Sequence, residues 1–265
     1  VILEGKTLVV AGVGPGLGRE VAALALRDGA KVVIASRNAS RLASLAAGLD
    51  ASGQRVAVCA ADIADAASCE RLMQTAVDRF GGLDAVVNVA ALDTVFGTLE
   101  STSVEDWRRT LETNVIGTAM LSRAAVPQLV ARGGGAIVLV GSQAMWVAPP
   151  AHQIAYAASK GALVSAMYHM VEELGPRGIR VNATAPGGTE APPRRIPRNT
   201  EQPTEQEKAW YQQIVDQTVS SSLMKRYGTI DEQAGAILFL ASDDAAYITG
   251  VTLPVGGGDL GQDAQ

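Results

Sequence analysis

Histidine, cysteine and aromatic side chains are scarce in this chain: two histidines, two cysteines and 4% aromatics among 265 residues. Cys59 and Cys69 form no CxxC pair and no disulfide framework, so they read as reduced residues in or near a core. His152 and His169 stand apart, with no partners at metal-ligand spacing, which argues against a metal centre. Positive charge is not in surplus either. With 22 basic and 27 acidic residues the formal charge is −5, and nothing is left over to release counterions from a nucleic acid. Long apolar runs are missing too: none approaches the roughly 18 residues of a membrane-spanning helix, and the first residues enter a strand pattern instead of a leader. These absences leave the expectation of a reduced, cytoplasmic, metal-free protein with neither a nucleic acid nor a membrane as partner.

Small and aliphatic residues are plentiful instead. Hydrophobic residues make up 48% and glycine contributes 28 positions, a mix that suits helices pressed onto a sheet. Short aliphatic runs recur along the chain: TLVVAG from Thr7, KVVIAS from Lys31, RVAVCA from Arg55, LDAVVNVA from Leu83, GAIVLVGS from Gly135, IRVNATA from Ile179 and VTLPVGG from Val251. Continuous runs of this kind predict strands covered on both faces. Helical stretches lie between them, for example Gly18–Asp28, Ser68–Phe80, Val104–Leu129 and Ile154–Leu174. The alternation predicts an α/β fold: a Rossmann-type doubly wound sheet of about seven parallel strands with helices on both faces. No shift in composition divides the chain, so residues 1–265 read as one domain. The stretch 187–222 breaks the rhythm with Pro192, Pro193, Pro197 and Pro203, and reads as a substrate-binding lid between the sixth and seventh strands.

The first strand leads into AGVGPGLGRE, which opens a helix. Gly12, Gly14, Gly16 and Gly18 let the backbone turn sharply and approach a pyrophosphate held at the positive end of that helix. After the second strand comes Ser36, then Arg37 and Asn38, with no carboxylate to take a ribose 2′-hydroxyl. Arg37 offers a planar fork suited to a 2′-phosphate, so NADP(H) is favoured over NAD(H).

Tyr156 and Lys160 are one helical turn apart in IAYAASKGAL and share a face. Alone, such a pair is usually a solvated lysine beside a half-buried tyrosine. In company with the glycine turn, Asn114 in ETNVIG and Ser142 in VLVGS, in that order before it, it resembles the short-chain dehydrogenase/reductase family of the classical type. The resemblance runs from Lys6 to about Gly258. It includes Asp62 in AADI, the NVAA stretch from Asn88 with Ala90, APGGT around Pro186 and Gly187, and YITGVTLPVGGG near the end. Ala11, Val89 and Ala91 depart from the family pattern. The Tyr-to-Lys spacing differs from the wider pair of the enoyl-reductase branch, and the length from the extended sugar-epimerase branch.

The resemblance implies an oxidoreductase that moves a hydride between a nicotinamide cofactor and a ketone/secondary alcohol couple. Tyr156 would be the acid/base, Lys160 the cation favouring its phenolate, Ser142 a donor to the substrate oxygen, and Asn114 the holder of a water behind Lys160. The implied cofactor set is Gly12, Gly14, Gly16, Leu17 and Gly18; Ser36, Arg37 and Asn38; Asp62 and Ile63; Asn88 and Ala90; Tyr156 and Lys160; and Pro186, Gly187 and Thr189. Gln143, Met145 and Trp146, followed by Val147, would wall the substrate site, with Tyr211 and Trp210 from the lid and Phe96 near by. Such a wall favours a lipophilic or alicyclic substrate. Arg194, Arg195 and Arg198 read as a solvated face, and His152 carries no assigned role. The family implies a homotetramer or homodimer. Two alternatives stand beside this reading: an NAD-linked dehydrogenase working towards oxidation, and a non-catalytic dinucleotide-binding regulator.

Overall fold

The computed structural model describes residues 1–146, 153–190 and 204–259. Its first half runs β1 (Thr7–Ala11), α1 (Leu17–Arg27), β2 (Lys31–Ser36), α2 (Ala39–Leu49), β3 (Val56–Ala60), α3 (Ala66–Phe80) and β4 (Ala85–Asn88). There follow α4 (Val104–Leu111), a π-helical turn (Glu112–Ile116), α5 (Gly117–Ala131), β5 (Gly135–Val140), α6 (Ile154–Leu174) and β6 (Ile179–Pro186). The chain closes with α7 (Glu205–Ser221), α8 (Ile230–Ala241) and β7 (Thr252–Val255). Among the described residues seven strands form one parallel sheet in the order β3-β2-β1-β4-β5-β6-β7, with Thr7 opposite Lys31 and Leu8 opposite Ala85. This is the doubly wound sheet that the strand and helix pattern predicts.

The two-residue period of the strands divides the interior into two cores. Leu8 and Val10 of β1, with Val32 and Ile34 of β2 and Val138 of β5, pack against α1 and α8. Val9 and Ala11, with Val33, Val86, Ile137 and Leu139, pack on the other face against α3, α5 and α6. Burial of each such side chain stabilises the fold by roughly 1.5–3 kcal/mol. Continuous burial holds for the five inner strands only. The edge strands differ: Val58 of β3 is 37% exposed, and no residue of β7 is fully buried.

Two boundaries depart from the sequence pattern, each for a local reason. β4 ends at Asn88, because its side chain turns back to accept from Ala90 N at 3.1 Å and donates to Thr118 Oγ1 at 2.8 Å. The helix expected over 104–129 is divided by the π-helical turn, in which Gly117 N–H reaches back to Glu112 O. At Gly117 the wide turn passes so close to Ile63 that a Cβ would stand 2.8 Å from Ile63 Cγ1. Of the stretch 187–222, residues 187–190 and 204–222 are described. α7 begins with a capping box in which Thr204 and Glu207 satisfy each other's backbone N–H groups.

Candidate active site

Every candidate residue described lies at or beyond the carboxyl edge of the sheet, where open α/β sheets bind their ligands. The turn after β1 is shaped by close approach. Gly12 has φ +92°, and a Cβ there would collide with Ala90 N; one at Gly18 would lie 2.6 Å from Gly12 O. Gly14 and Gly16 are different. Neither has a positive φ, and no described atom stands within 4 Å of where a Cβ would be. Side-chain space left open to the outside suits a backbone that a ligand must approach, and Gly16 caps α1 without a side chain to occupy its first N–H groups. A pyrophosphate fits there. Leu17 begins α1 beside it.

Ser36 ends β2, and Arg37 and Asn38 follow it. Asn38 is committed to α2: its Oδ1 accepts from Arg41 N and from Ser40 Oγ, both at 2.9 Å. Arg37 is exposed and makes no hydrogen bond or ion pair among the described residues. Asp62 follows β3, its Oδ1 accepting from Ala64 N at 3.0 Å. Ile63 is 5% exposed and serves the packing under Gly117.

The π-helical turn carries Asn114 inward to 1% exposure. Its amide brackets one residue, accepting from Leu92 N at 2.6 Å and donating to Leu92 O at 3.0 Å, and it also donates to Ser159 Oγ at 2.9 Å. Ser159 in turn donates to Tyr156 O at 2.7 Å. Asn114 thus ties the loop after β4 to the first turns of α6, and both of its amide N–H groups are used in doing so. On α6, Lys160 is 2% exposed and its Nζ donates to Val140 O at 2.6 Å, while standing 5.6 Å from the centre of the Tyr156 ring. The ammonium is therefore fixed between the end of β5 and the tyrosine. Ser142 lies two residues beyond Val140, and its Oγ accepts from Ala144 N at 3.1 Å, which leaves its O–H proton available to a substrate oxygen. Ser159, Leu92 and Thr118 were not singled out from sequence. A serine in an alanine-rich helix carries no signal until the π-helical turn is known.

Of the expected pocket wall, Gln143 is 5% exposed, packed against Gly187 and Gly256 with Nε2 donating to Asp259 O at 3.1 Å. Met145 is half-buried, whereas Trp146 and Tyr211 are 54% and 52% exposed. Val147, His152, Arg194, Arg195 and Arg198 lie outside the described residues. After β6, Gly187 N–H donates to Val255 O at 3.0 Å, and Thr189 Oγ1 donates to Gly187 O at 3.1 Å. Glu190 N–H and Gly228 O, with Gly228 N–H and Gly188 O, clamp this turn at 2.9 Å each. Tyr227 packs its ring against Gly188, and burial raises its phenol pKa, partly opposed by a hydrogen bond with Thr218 of α7. An open groove of about 650 Å³ lies at the opposite edge of the sheet, lined by Lys6, Asp84, Arg132, Arg180 and Asp243. Its acids are paired with bases, Lys6 with Asp243 and Arg132 with Asp84. Arg180 there serves the carbonyls of Leu240 and Ser242, each at 2.9 Å, at the end of α8.

A glycine turn at the head of a doubly wound sheet, with a fixed Tyr-Lys pair and a serine at the same edge, defines a dinucleotide-dependent oxidoreductase. Comparison with known proteins agrees. Residues 12–259 match the family model described as enoyl-(acyl carrier protein) reductase. A 1,6-dihydroxycyclohexa-2,4-diene-1-carboxylate dehydrogenase of Pseudomonas putida is 44% identical over 97% of this chain and 94% of its own length. One of the same name from Acinetobacter baylyi is 36% identical over 97% of both chains. The human dehydrogenase/reductase SDR family member 4 is 34% identical over 97% of this chain and 88% of its own. A solved short-chain dehydrogenase/reductase from Serratia marcescens superposes with a TM-score of 0.83 at 31% identity, covering 98% of this chain and all of that one. The chain belongs to the short-chain dehydrogenase/reductase family, and it is an oxidoreductase of CH–OH groups that uses a nicotinamide cofactor. Among the described residues no helix is long and apolar enough to cross a membrane.

Proposed function

We propose that the protein interconverts a secondary alcohol and a ketone on an alicyclic ring, with NADP(H) as cofactor and Tyr156 as acid/base. The observation that carries this reading is the placement of Lys160: its ammonium, bonded at 2.6 Å to Val140 O, the last residue of β5 and two before Ser142, stands 5.6 Å from the Tyr156 ring. Hydride exchange with the substrate carbon is the chemistry a nicotinamide supplies when bound. The protein's own residues handle the proton. A free phenol ionises near ~10, and a neighbouring ammonium favours its phenolate. Tyr156 Oη would take the proton from the alcohol, or return it to the nascent alkoxide, while Ser142 Oγ–H donates to the same oxygen and stabilises its charge. Gly12, Gly14, Gly16 and Gly18 would hold the pyrophosphate, and Pro186, Gly187 and Thr189 the nicotinamide end.

The ring substrate draws support from the two relatives named for a dihydroxycyclohexadiene carboxylate, at 44% and 36% identity. The same names favour a second reading, dehydrogenation of a ring diol, over carbonyl reduction. The test is Tyr156→Phe assayed with cis-cyclohexane-1,2-diol and with cyclohexanone. Turnover should fall about 1,000-fold or more, while the cofactor dissociation constant stays within about threefold. Retained turnover would remove Tyr156 from the role.

A further inference from the structure

Gln143 follows Ser142 directly, yet its amide is sealed at a junction of three segments. Nε2 donates to Asp259 O, and Oε1 is buried with no hydrogen-bond partner among the described residues. Two glycines make the seat. A Cβ at Gly187 would lie 2.5 Å from Oε1, and one at Gly256 would overlap the whole amide. Neither glycine has a positive φ, so what excludes a side chain at these two positions is the glutamine and the crossing backbone. An aliphatic side chain of equal length would fill the same space without leaving a buried oxygen unpaired, and packing alone therefore does not account for an amide here.

The donor bond does. We infer that Gln143 is a positioning residue: it pins the segment after β7 and the Gly187 turn to the loop bearing Ser142, and so sets Ser142 Oγ relative to the turn that receives the nicotinamide. The inference rests on the proposed roles of Ser142 and Thr189. The two sides it joins are each internally tied. Ala144 N–H and Met145 N–H donate to Ser142 Oγ and Ser142 O at 3.1 and 3.3 Å, so residue 143 cannot shift without carrying the serine. On the other side Gly187 N–H bonds Val255 O at 3.0 Å, and Asp259 N–H bonds Gly256 O at 3.2 Å.

The test uses the full-length chain with Gln143→Met, which keeps length and removes the donor, assayed with NADPH, cyclohexanone and cis-cyclohexane-1,2-diol. The melting temperature should hold within a few degrees and the NADPH dissociation constant within about threefold, while kcat falls about tenfold or more. In a Ser142→Ala background the same change should alter kcat less than about twofold, because the effect passes through the serine. A measurement independent of turnover is the fluorescence lifetime of bound NADPH at saturation, which should shorten as the Gly187 turn loosens. A wild-type kcat, an unchanged lifetime, or a full tenfold drop in the Ser142→Ala background would overturn the inference alone. Wild-type activity of Ser142→Ala by itself would overturn the proposed role of Ser142 and this inference with it.

Discussion

Arg37 stands exposed at the end of β2, without a hydrogen bond or ion pair among the described residues, while its neighbour Asn38 is spent on capping α2. An arginine that no described residue holds can meet an anion, and residues 36–38 include no carboxylate. Arg37→Asp should therefore weaken NADPH about tenfold or more and NADH by less than about threefold, read by titrating nicotinamide fluorescence. An equal loss for both would show that Arg37 does not read the phosphate. Lys160 illustrates the opposite case. It is buried, and one of its three N–H groups donates to Val140 O, so its charge is held at a fixed point beside the Tyr156 ring.

At the scale of elements, most of the fold was legible because each strand and helix declares itself locally. Ile154–Leu174 is a helix from end to end, as its uninterrupted composition predicts. The break at Glu112–Ile116 was not legible. LETNVIGT holds only Asn114 and Gly117 as weak interruptions, and the bonds that reward the wider turn, from Asn114 to Leu92 and Ser159, join segments remote in sequence. The exposed faces of β3 and β7 were hidden for a related reason: strand order, not strand composition, makes them edges. The site shows the same division. Tyr156, Lys160 and Ser142 were singled out through the family resemblance, whereas the burial of Gln143 depends on Gly187 and Gly256, which tertiary structure alone brings to it.

Helix α8 offers an element-level test. Thr229 and Glu232 form its capping box, and Arg226 holds Glu232 through two bonds of 2.8 and 2.6 Å. The Arg226 bonds, then the Thr229 N–H, lower the Glu232 carboxyl from 4.5 to about 2. A depressed folded-state value means a contribution present above pH 4.5 and lost as the pH falls towards 2. Thermal unfolding across that range should show the wild-type advantage over Glu232→Gln constant at neutral pH and vanishing in acid. An advantage that persisted at pH 2 would contradict the assignment.

For the molecule as a whole, the two thiols report on different things. Cys69 is fully buried in the core on the α3 face, and burial, then Asp65 and Asp62, raise its thiol to about 11. Cys59 is half-buried on the edge strand β3. A disulfide reagent at pH 8 should consume one thiol of the native protein within minutes, and the second only at the rate of global opening. Simultaneous loss of both would mean that the α3 face opens independently of the sheet.

The strand order has a further consequence for how such a molecule can diversify. The sheet changes direction between β1 and β4: the strands on one side, β3-β2-β1, are all encoded before residue 61, and those on the other, β4 to β7, after residue 84. Arg37 and Asp62 belong to the first stretch or its border, while Asn114, Ser142, Tyr156 and Thr189 belong to the second. A single genetic crossover near the middle of α3 would thus exchange the residues proposed for the pyrophosphate and the phosphate-reading end and keep those proposed for proton transfer and the nicotinamide end, provided that Gly12 still met an uncrowded residue 90 across the seam.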